Sequence, residues 1–214
     1  MKIAVMSDIH GNIYALMKTL EDIDEQRVDK IICLGDLVGY GPHPNEVIAL
    51  IKRREIPCIK GNYDASVVDG DFTFIRNTAI NSFALPWTCE EVRVSNKYYL
   101  DSLPTSLKYT FNGVNILFTH GSPNAINEYL FEDAENTKKV MTEYEGDVLV
   151  CAHTHIPFTK KFNNKTLINV GSVGKPKIGK PNPTYTIIEI KDNGEIVVQV
   201  RYLEYEYKRI MKDC

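Results

Sequence analysis

The sequence predicts an α/β fold in which a mixed β-sheet, or two packed sheets, is flanked by helices. Strand and helix patterns alternate in the first half of the chain, which is typical of parallel strands joined by helical crossovers. The second half instead carries three two-residue turn signals that are typical of antiparallel hairpins, at Asn112-Gly113, Asn163-Asn164 and Asn193-Gly194.

The first half is predicted to contain three strands and two helices. The strands cover residues 2–7, 30–34 and 56–60, which are short apolar runs. A helix over residues 12–25 follows the first strand, and a second helix covers about residues 44–54. One face of the first helix is apolar and is formed by Ile13, Leu16, Leu20 and Ile23.

A helical excursion from the sheet is predicted over about residues 65–103. Two helices are expected within it, near residues 78–90 and 95–103, and Pro86 is expected to end or kink the first of them. The excursion is too short to enclose a core of its own. Residues 1–214 are therefore predicted to form a single domain.

Beyond the excursion, strand patterns at residues 107–111 and 114–119 flank the first turn signal. A helix over about residues 134–145 then precedes a buried strand at residues 147–151. The remaining two turn signals predict further hairpins.

The composition is that of an ordinary globular protein, with 43% hydrophobic and 25% charged residues. The five cysteines are scattered and form no C-x-x-C pattern, so we expect them to be reduced. A formal net charge of -3 argues against a general nucleic-acid-binding surface. No apolar run is long enough to cross a bilayer and the N-terminus shows no signal-peptide pattern, so a cytoplasmic protein is expected.

Polar side chains that can bind metal ions follow the predicted strands. The carboxyl ends of parallel strands share one edge of a sheet, and open α/β sheets bind their ligands at that edge. We therefore expect these side chains to lie close together. The seven candidate ligands are Asp8, His10, Asp36, Asn62, His120, His153 and His155.

The donor types and their spacing indicate a transition-metal site. Asp8/His10 and His153/His155 have i, i+2 spacing, which places both side chains of a pair on one face of an extended chain. Carboxylate, imidazole and amide donors without thiolate suit Mn, Fe, Co, Ni or Zn. A single histidine at a strand end is more often an ordinary hydrogen-bonded residue. However, four of the five histidines in this chain fall at these positions.

Six segments occur in this order along the chain: Asp8-Ile9-His10, Gly35-Asp36 with the following Leu37–Pro42, Gly61-Asn62-Tyr63-Asp64, His120-Gly121-Ser122-Pro123, His153-Thr154-His155 and Asn169–Gly174. Together they resemble the calcineurin-like metallophosphoesterases, most closely the small prokaryotic phosphodiesterase members. The resemblance implies a four-layer sandwich in which two mixed β-sheets are flanked by helices.

The resemblance also implies a division of the ligands between two divalent metal ions, with Mn favoured. Asp8, His10 and His155 would hold the first ion, and Asn62, His120 and His153 would hold the second. Asp36 would bridge the two ions, which trap a hydroxide between them as the nucleophile.

The chain departs from the family pattern at one position that bears on proton transfer. Tyr63 stands where the family has a histidine that is thought to assist the leaving group, and tyrosine is a poorer proton donor at neutral pH. Asp64 and His43 are the other catalytic candidates, although an exposed loop residue is the favoured interpretation of His43. Lys175 and Lys177 lie in a loop that either meets substrate phosphates or, as we favour, is simply solvated.

Three functions are compatible with the sequence. A phosphodiesterase that hydrolyses small phosphate esters of the nucleotide type is favoured. A phosphomonoesterase, including a protein phosphatase, is the nearest enzymatic alternative. A non-catalytic scaffold of the same fold, like the retromer subunit, is the third. The sequence leaves open whether the protein forms a homodimer.

Overall fold

The computed structural model describes residues 1–214, which form nine strands and seven helices. The strands are β1 (Lys2–Met6), β2 (Lys30–Cys33), β3 (Ser106–Phe111), β4 (Val114–Thr119), β5 (Val148–Cys151), β6 (Phe158–Phe162), β7 (Lys165–Asn169), β8 (Thr184–Ile190) and β9 (Ile196–Tyr202). The helices are α1 (Ile13–Glu25), α2 (Pro44–Arg53), α3 (Asn62–Asp69), α4 (Ala79–Glu91), α5 (Val94–Ser102), α6 (Glu135–Glu143) and α7 (Lys208–Asp213).

The strands form two mixed sheets, which confirms the predicted fold class. The first sheet has the order β2-β1-β8-β9, and its only parallel pair is β1 with β2. The second sheet has the order β3-β4-β5-β7-β6, with β5 parallel to both of its neighbours. All three predicted hairpin turns join antiparallel neighbours.

The fold has four layers in the order helices, first sheet, second sheet and helix, and one apolar cluster lies between each pair of neighbouring layers. The largest, with 24 buried residues, joins one face of the first sheet to the helices on that side and includes Met6, Leu16 and Ile48. A second cluster of 15 residues lies between the two sheets. The third, with 7 residues, packs α6 and the nearby loop against the outer face of the second sheet. Apolar burial on both faces of each sheet is the main stabilisation of such a sandwich.

The predicted third strand at residues 56–60 is wrong. Only one isolated parallel bridge, between Cys33 and Cys58, joins this segment to the sheet. The Cys33 N–H donates to the Pro57 carbonyl, and the Ile59 N–H donates to the Cys33 carbonyl. Pro57 has no N–H of its own, and Lys60 already donates to Pro104, so the pairing ends after one step.

The excursion contains the two predicted helices, α4 and α5, and also most of α3, which the sequence did not indicate. Pro86 lies inside α4, which continues to Glu91, so the prediction that it ends the helix is wrong. Pro86 and Ser82, four residues before it, are both exposed, so water can solvate the carbonyl that the proline leaves without a donor. None of the seven helices is both long and apolar enough to cross a bilayer.

Candidate metal centre

The seven predicted ligands lie at the ends of four strands and at the start of one helix. Asp8 and His10 follow β1, and Asp36 follows β2. Asn62 is the first residue of α3. The three remaining histidines follow β4 and β5, and all seven side chains are buried.

Asp8, His10 and His155 form the first cluster of metal-competent atoms, and their ligand atoms all lie within 4.8 Å of one another. The Nε2 atoms of His155 and His10 lie 3.2 and 3.6 Å from Asp8 Oδ1. The two Nε2 atoms are 3.4 Å apart. Three potential donor atoms thus converge on one small volume.

Asp36, His120 and His153 form the second cluster. His120 Nε2 lies 3.3 Å from Asp36 Oδ2 and 3.0 Å from Asn62 Oδ1, which brings the amide of Asn62 into this cluster. Asp36 Oδ2 is also 3.7 Å from His10 Nε2 of the first cluster. One oxygen of Asp36 is therefore shared between the two clusters.

Three atoms of the clusters are buried without any hydrogen-bond partner: Asp8 Oδ1, Asp36 Oδ2 and His153 Nε2. An unpartnered buried polar atom is costly, by about 1–3 kcal/mol or more for a charged group. All three are atoms of metal-competent groups. These side chains therefore fit divalent cations, which would satisfy the three atoms together.

Four of these groups have the charge states of metal ligands. Although burial opposes ionisation, the neighbouring histidines hold the pKa of both Asp8 and Asp36 below the usual range. Burial lowers the pKa of His10, and burial together with His120 lowers that of His153 to about 3. His120 differs, because the nearby Asp36 outweighs burial and raises its pKa to about 10. A cation bound by His120 would therefore displace a proton.

Backbone carbonyls fix the orientation of three of the histidine rings. The Nδ1 atoms of His10, His120 and His155 lie 3.0, 2.7 and 2.5 Å from the carbonyl oxygens of Val38, Leu34 and Lys175. Each carbonyl requires a proton on Nδ1, so Nε2, which points into the cluster, is the nitrogen left to bind a cation.

Five of the seven candidate ligands have left-handed backbone conformations, with φ of 53° at Asp8, 49° at His10, 52° at Asp36, 64° at His153 and 62° at His155. The extended geometry predicted for the two i, i+2 pairs is therefore wrong. Left-handed conformations are uncommon outside glycine and concentrate at functional sites. In this geometry Asp8 and His10 share the first cluster, whereas His153 and His155 are divided between the two.

The Tyr63 hydroxyl forms no hydrogen bond with a residue of either cluster. It donates to Asn81 Oδ1 at 3.0 Å and forms a short hydrogen bond with the Tyr40 hydroxyl. The tyrosine ring packs edge-on against His10, with the ring centroids 4.9 Å apart. Burial and the adjacent Tyr40 raise the pKa of Tyr63 far above its usual range. These contacts favour a role in holding His10 over a role in proton donation.

Asp64 binds the backbone of the loop that follows β2. Its two oxygens accept from the N–H groups of Asp36, Leu37 and Gly61 at 2.8, 2.9 and 3.0 Å. Burial, with a contribution from Asp36, raises the pKa of Asp64 to about 7. With N–H donors on both oxygens, however, the arrangement suits the carboxylate. Asp64 therefore holds the backbone of Asp36 and is poorly placed as an acid.

Asp64→Asn is expected to lower the free energy of unfolding by about 1–3 kcal/mol, because the new amide NH₂ faces backbone N–H groups and leaves one unsatisfied. Thermal unfolding of this variant and of Asp69→Asn, an exposed control in the same helix, would measure the effect. The control should stay within about 0.5 kcal/mol of the parent. An Asp64→Asn protein that lost activity with unchanged stability would instead point to a catalytic acid.

His43 belongs to neither cluster. Its Nε2 atom lies 2.9 Å from Asp213 Oδ2 in α7, and its ring packs edge-on against Tyr14. Asp213 also accepts a hydrogen bond from the Tyr14 hydroxyl. These contacts attach the C-terminal helix to the body of the protein and give no support to a catalytic role.

Two further side chains lie near the clusters, Tyr129 and Arg76, and no sequence pattern indicated them. The Tyr129 ring packs against the His153 ring at a centroid distance of 4.0 Å, and the Arg76 guanidinium lies 4.9 Å from the Tyr129 ring centroid. Neither residue belongs to a recognisable motif or follows a predicted strand. Lys175, for which a solvated loop was favoured, is half-buried, with Nζ 3.4 Å from the Tyr40 ring centroid.

Two clusters of carboxylate and imidazole groups, joined by Asp36 at the ends of the strands of a four-layer sandwich, define an α/β protein with two candidate sites for divalent metal ions. The sequence profile of the calcineurin-like phosphoesterase superfamily domain matches residues 1–193. The chain therefore belongs to the calcineurin-like phosphoesterase superfamily.

Individual relatives and a solved structure are similar over nearly the whole chain. An uncharacterised protein of Methanocaldococcus jannaschii is 35% identical, with 99% of this chain and 92% of the relative covered. The phosphodiesterase YfcE of Escherichia coli (strain K12) is 26% identical, with 94% and 97% covered. A metallophosphoesterase structure from Sphaerobacter thermophilus superposes with a TM-score of 0.82 at 27% identity, with 100% of this chain and 92% of that chain covered.

Proposed function

We propose that the protein is a dinuclear metal-dependent phosphodiesterase that acts on small phosphate esters of the nucleotide type. The observation that carries the proposal is the position of Asp36 Oδ2, which is buried, lacks a hydrogen-bond partner and lies within 3.7 Å of histidine nitrogens from both clusters. One oxygen shared in this way suits a bridge between two cations. The similarity to YfcE, a phosphodiesterase, supports the choice of substrate.

The proposed ligands divide as the two clusters do. Asp8, His10 and His155 would hold one ion, and Asn62, His120 and His153 would hold the other, with Asp36 shared. Two such ions would supply an activated water nucleophile and positive charge for the phosphoryl oxygens. Mn²⁺ is our favoured ion, and Fe, Co, Ni and Zn suit the same donors.

The surrounding residues of the chain orient these groups. Backbone carbonyls hold three imidazole rings with Nε2 directed inward. The Phe74 carbonyl accepts from Asn62 Nδ2 at 3.3 Å, which leaves the amide oxygen of Asn62 directed toward His120. These hydrogen bonds would preorganise the proposed ligands for metal binding.

Removal of metal is expected to abolish hydrolysis of bis(p-nitrophenyl) phosphate, and added Mn²⁺ should restore it. Elemental analysis of the active protein should find about two transition-metal ions per chain. Turnover of p-nitrophenyl phosphate under the same conditions tests the choice of substrate. Faster hydrolysis of this monoester would favour the phosphomonoesterase, and no hydrolysis of either ester by the metal-loaded protein would favour the scaffold.

A further inference from the structure

The positively charged side chain of Arg76 is separated from the second cluster by one aromatic ring, that of Tyr129. The Tyr129 ring packs on His153, and the guanidinium of Arg76 lies over the Tyr129 ring at 4.9 Å from its centroid. Arg76 forms no ion pair and its side chain donates no hydrogen bond within the protein. Its donors are therefore available to an anion that is bound at the cluster.

The first cluster has the same arrangement on different elements. The Tyr40 ring packs edge-on against His10 at a centroid distance of 4.8 Å, and Lys175 Nζ lies 3.4 Å from the Tyr40 ring centroid. Lys175 also has no carboxylate partner. Each of the two clusters thus has its own unpaired cation, held by a tyrosine that contacts one of its histidines.

Two such cations exceed what an ordinary phosphodiester needs. An isolated phosphodiester carries one negative charge, on the phosphate that the proposed metal ions would bind. In such an ester, as in a dinucleoside monophosphate, the groups on either side of the phosphate are uncharged sugars or alcohols. Unpaired cations beside both clusters instead match a substrate with further negative charge on both sides of the scissile phosphate.

The hydrogen bonds around the site also favour a phosphate leaving group over an alkoxide. The hydroxyl hydrogen of Tyr63 is directed to Asn81 and both oxygens of Asp64 accept backbone N–H groups, while His43 is bound to Asp213. None of the three has a free proton donor directed at the clusters. An alkoxide leaving group requires a proton, whereas a phosphate leaving group is a stable anion at neutral pH.

We propose that the preferred substrates contain a phosphoanhydride linkage, P–O–P, and that Arg76 and Lys175 bind the phosphates that flank the attacked phosphorus. This inference rests on the proposed function and narrows its substrate class. In the reaction, the oxygen of water bonds to the attacked phosphorus and the bond from that phosphorus to the bridging oxygen breaks. The bridging oxygen leaves with its electron pair as part of the second phosphate, and the proton of the water is released to solvent.

The test compares two substrates that differ in the number of phosphates between two adenosines. Diadenosine tetraphosphate contains phosphoanhydride linkages, whereas adenylyl-(3′→5′)-adenosine has a single phosphodiester and an alkoxide leaving group. With Mn²⁺, kcat/KM for the tetraphosphate should be higher by at least about a hundredfold, because the contacts of Arg76 and Lys175, worth about tenfold or more each, are available only to its flanking phosphates. A phosphodiester that is cleaved as fast as the tetraphosphate would overturn the inference.

Variants test the two cations directly. Arg76→Gln and Lys175→Gln should each lower kcat/KM for the tetraphosphate by about ten- to hundredfold, the worth of one charge-assisted hydrogen bond. Their losses on bis(p-nitrophenyl) phosphate should be much smaller, because that ester has no flanking charge. Arg76→Lys and Lys175→Arg, which keep the charge, should recover part of the loss. Lys139→Gln, at an exposed position on α6, is the control and should change neither rate.

The outcomes separate the inference from the function on which it rests. Equal losses on both substrates, or no loss on the tetraphosphate, would assign Arg76 and Lys175 to structure alone and overturn the inference. In that case hydrolysis of bis(p-nitrophenyl) phosphate by the parent protein would leave the phosphodiesterase proposal standing. If the metal-loaded parent hydrolyses none of these substrates, the proposed function itself fails.

Discussion

Asp36→Asn is expected to reduce kcat/KM for bis(p-nitrophenyl) phosphate by at least about 10³-fold, since it removes a charged ligand that both proposed metal ions share. The substitution is nearly isosteric. Asp36 Oδ1 accepts from the Tyr63 N–H at 2.8 Å, and the amide oxygen of asparagine can keep this bond. The substitution therefore replaces Oδ2, the oxygen that lies near His10 and His120, by an NH₂ group.

Metal content and stability separate loss of the bridge from loss of the fold. Added Mn²⁺ should raise the Tm of the parent protein, because a ligand that binds only the folded state stabilises it. The same addition should raise the Tm of Asp36→Asn much less, and elemental analysis should find fewer than two ions per chain. Asp69→Asn should behave like the parent. An Asp36→Asn protein with two bound ions and full activity would show that Asp36 is not the bridge.

The sequence was sufficient to predict that the seven candidate ligands lie close together, because their positions depend on local pattern. Short apolar runs end at Asp8, Asp36, His120 and His153, and the carboxyl ends of neighbouring strands meet at one edge. The hairpins were equally local, since an asparagine in a two-residue loop accepts the left-handed backbone that the turn requires. Asn112 and Asn163 both have positive φ.

What the sequence could not supply are the features that depend on tertiary contact. The left-handed φ at Asp8 and His10 is held by hydrogen bonds from their N–H groups to the carbonyls of Gly35 and Asp36, far along the chain. The stacking of Arg76 on Tyr129 likewise joins residues from separate segments. Tyr63 shows the limit most clearly. The sequence shows that a tyrosine stands where the family has a histidine. It does not show which residues the tyrosine hydroxyl contacts.

Gly174→Ala is expected to destabilise the protein by more than about 4 kcal/mol, which places it among the most severe single substitutions. A methyl group at this position would lie 1.8 Å from the carbonyl oxygen of Ile9. The φ of Gly174 is not in the left-handed region, so the cost is steric and not conformational. Because the clashing atom belongs to the backbone, no side chain can rotate away to relieve the contact.

The clash lies directly behind the first cluster. The Gly174 N–H donates to the Asp8 carbonyl at 2.9 Å, and the Val173 N–H donates to the Ser7 carbonyl at 2.9 Å. Moving these segments apart to admit a methyl group would displace Asp8 and His10 from the cluster. We therefore expect Gly174→Ala to lower Mn²⁺ affinity together with the Tm, by roughly 8–16 °C for a chain of this size.

Gly179→Ala is the matched control, in the same loop. Gly179 has φ of 76°, and a methyl group there would meet no atom within 4 Å. Its cost is limited to the left-handed conformation of alanine, about 1–2 kcal/mol, and metal binding should be unaffected. If thermal unfolding and Mn²⁺ titration found the two variants alike, the backbone contact between Gly174 and Ile9 would not be fixed. The loop that carries Asp8 and His10 would then have to be held by its hydrogen bonds alone.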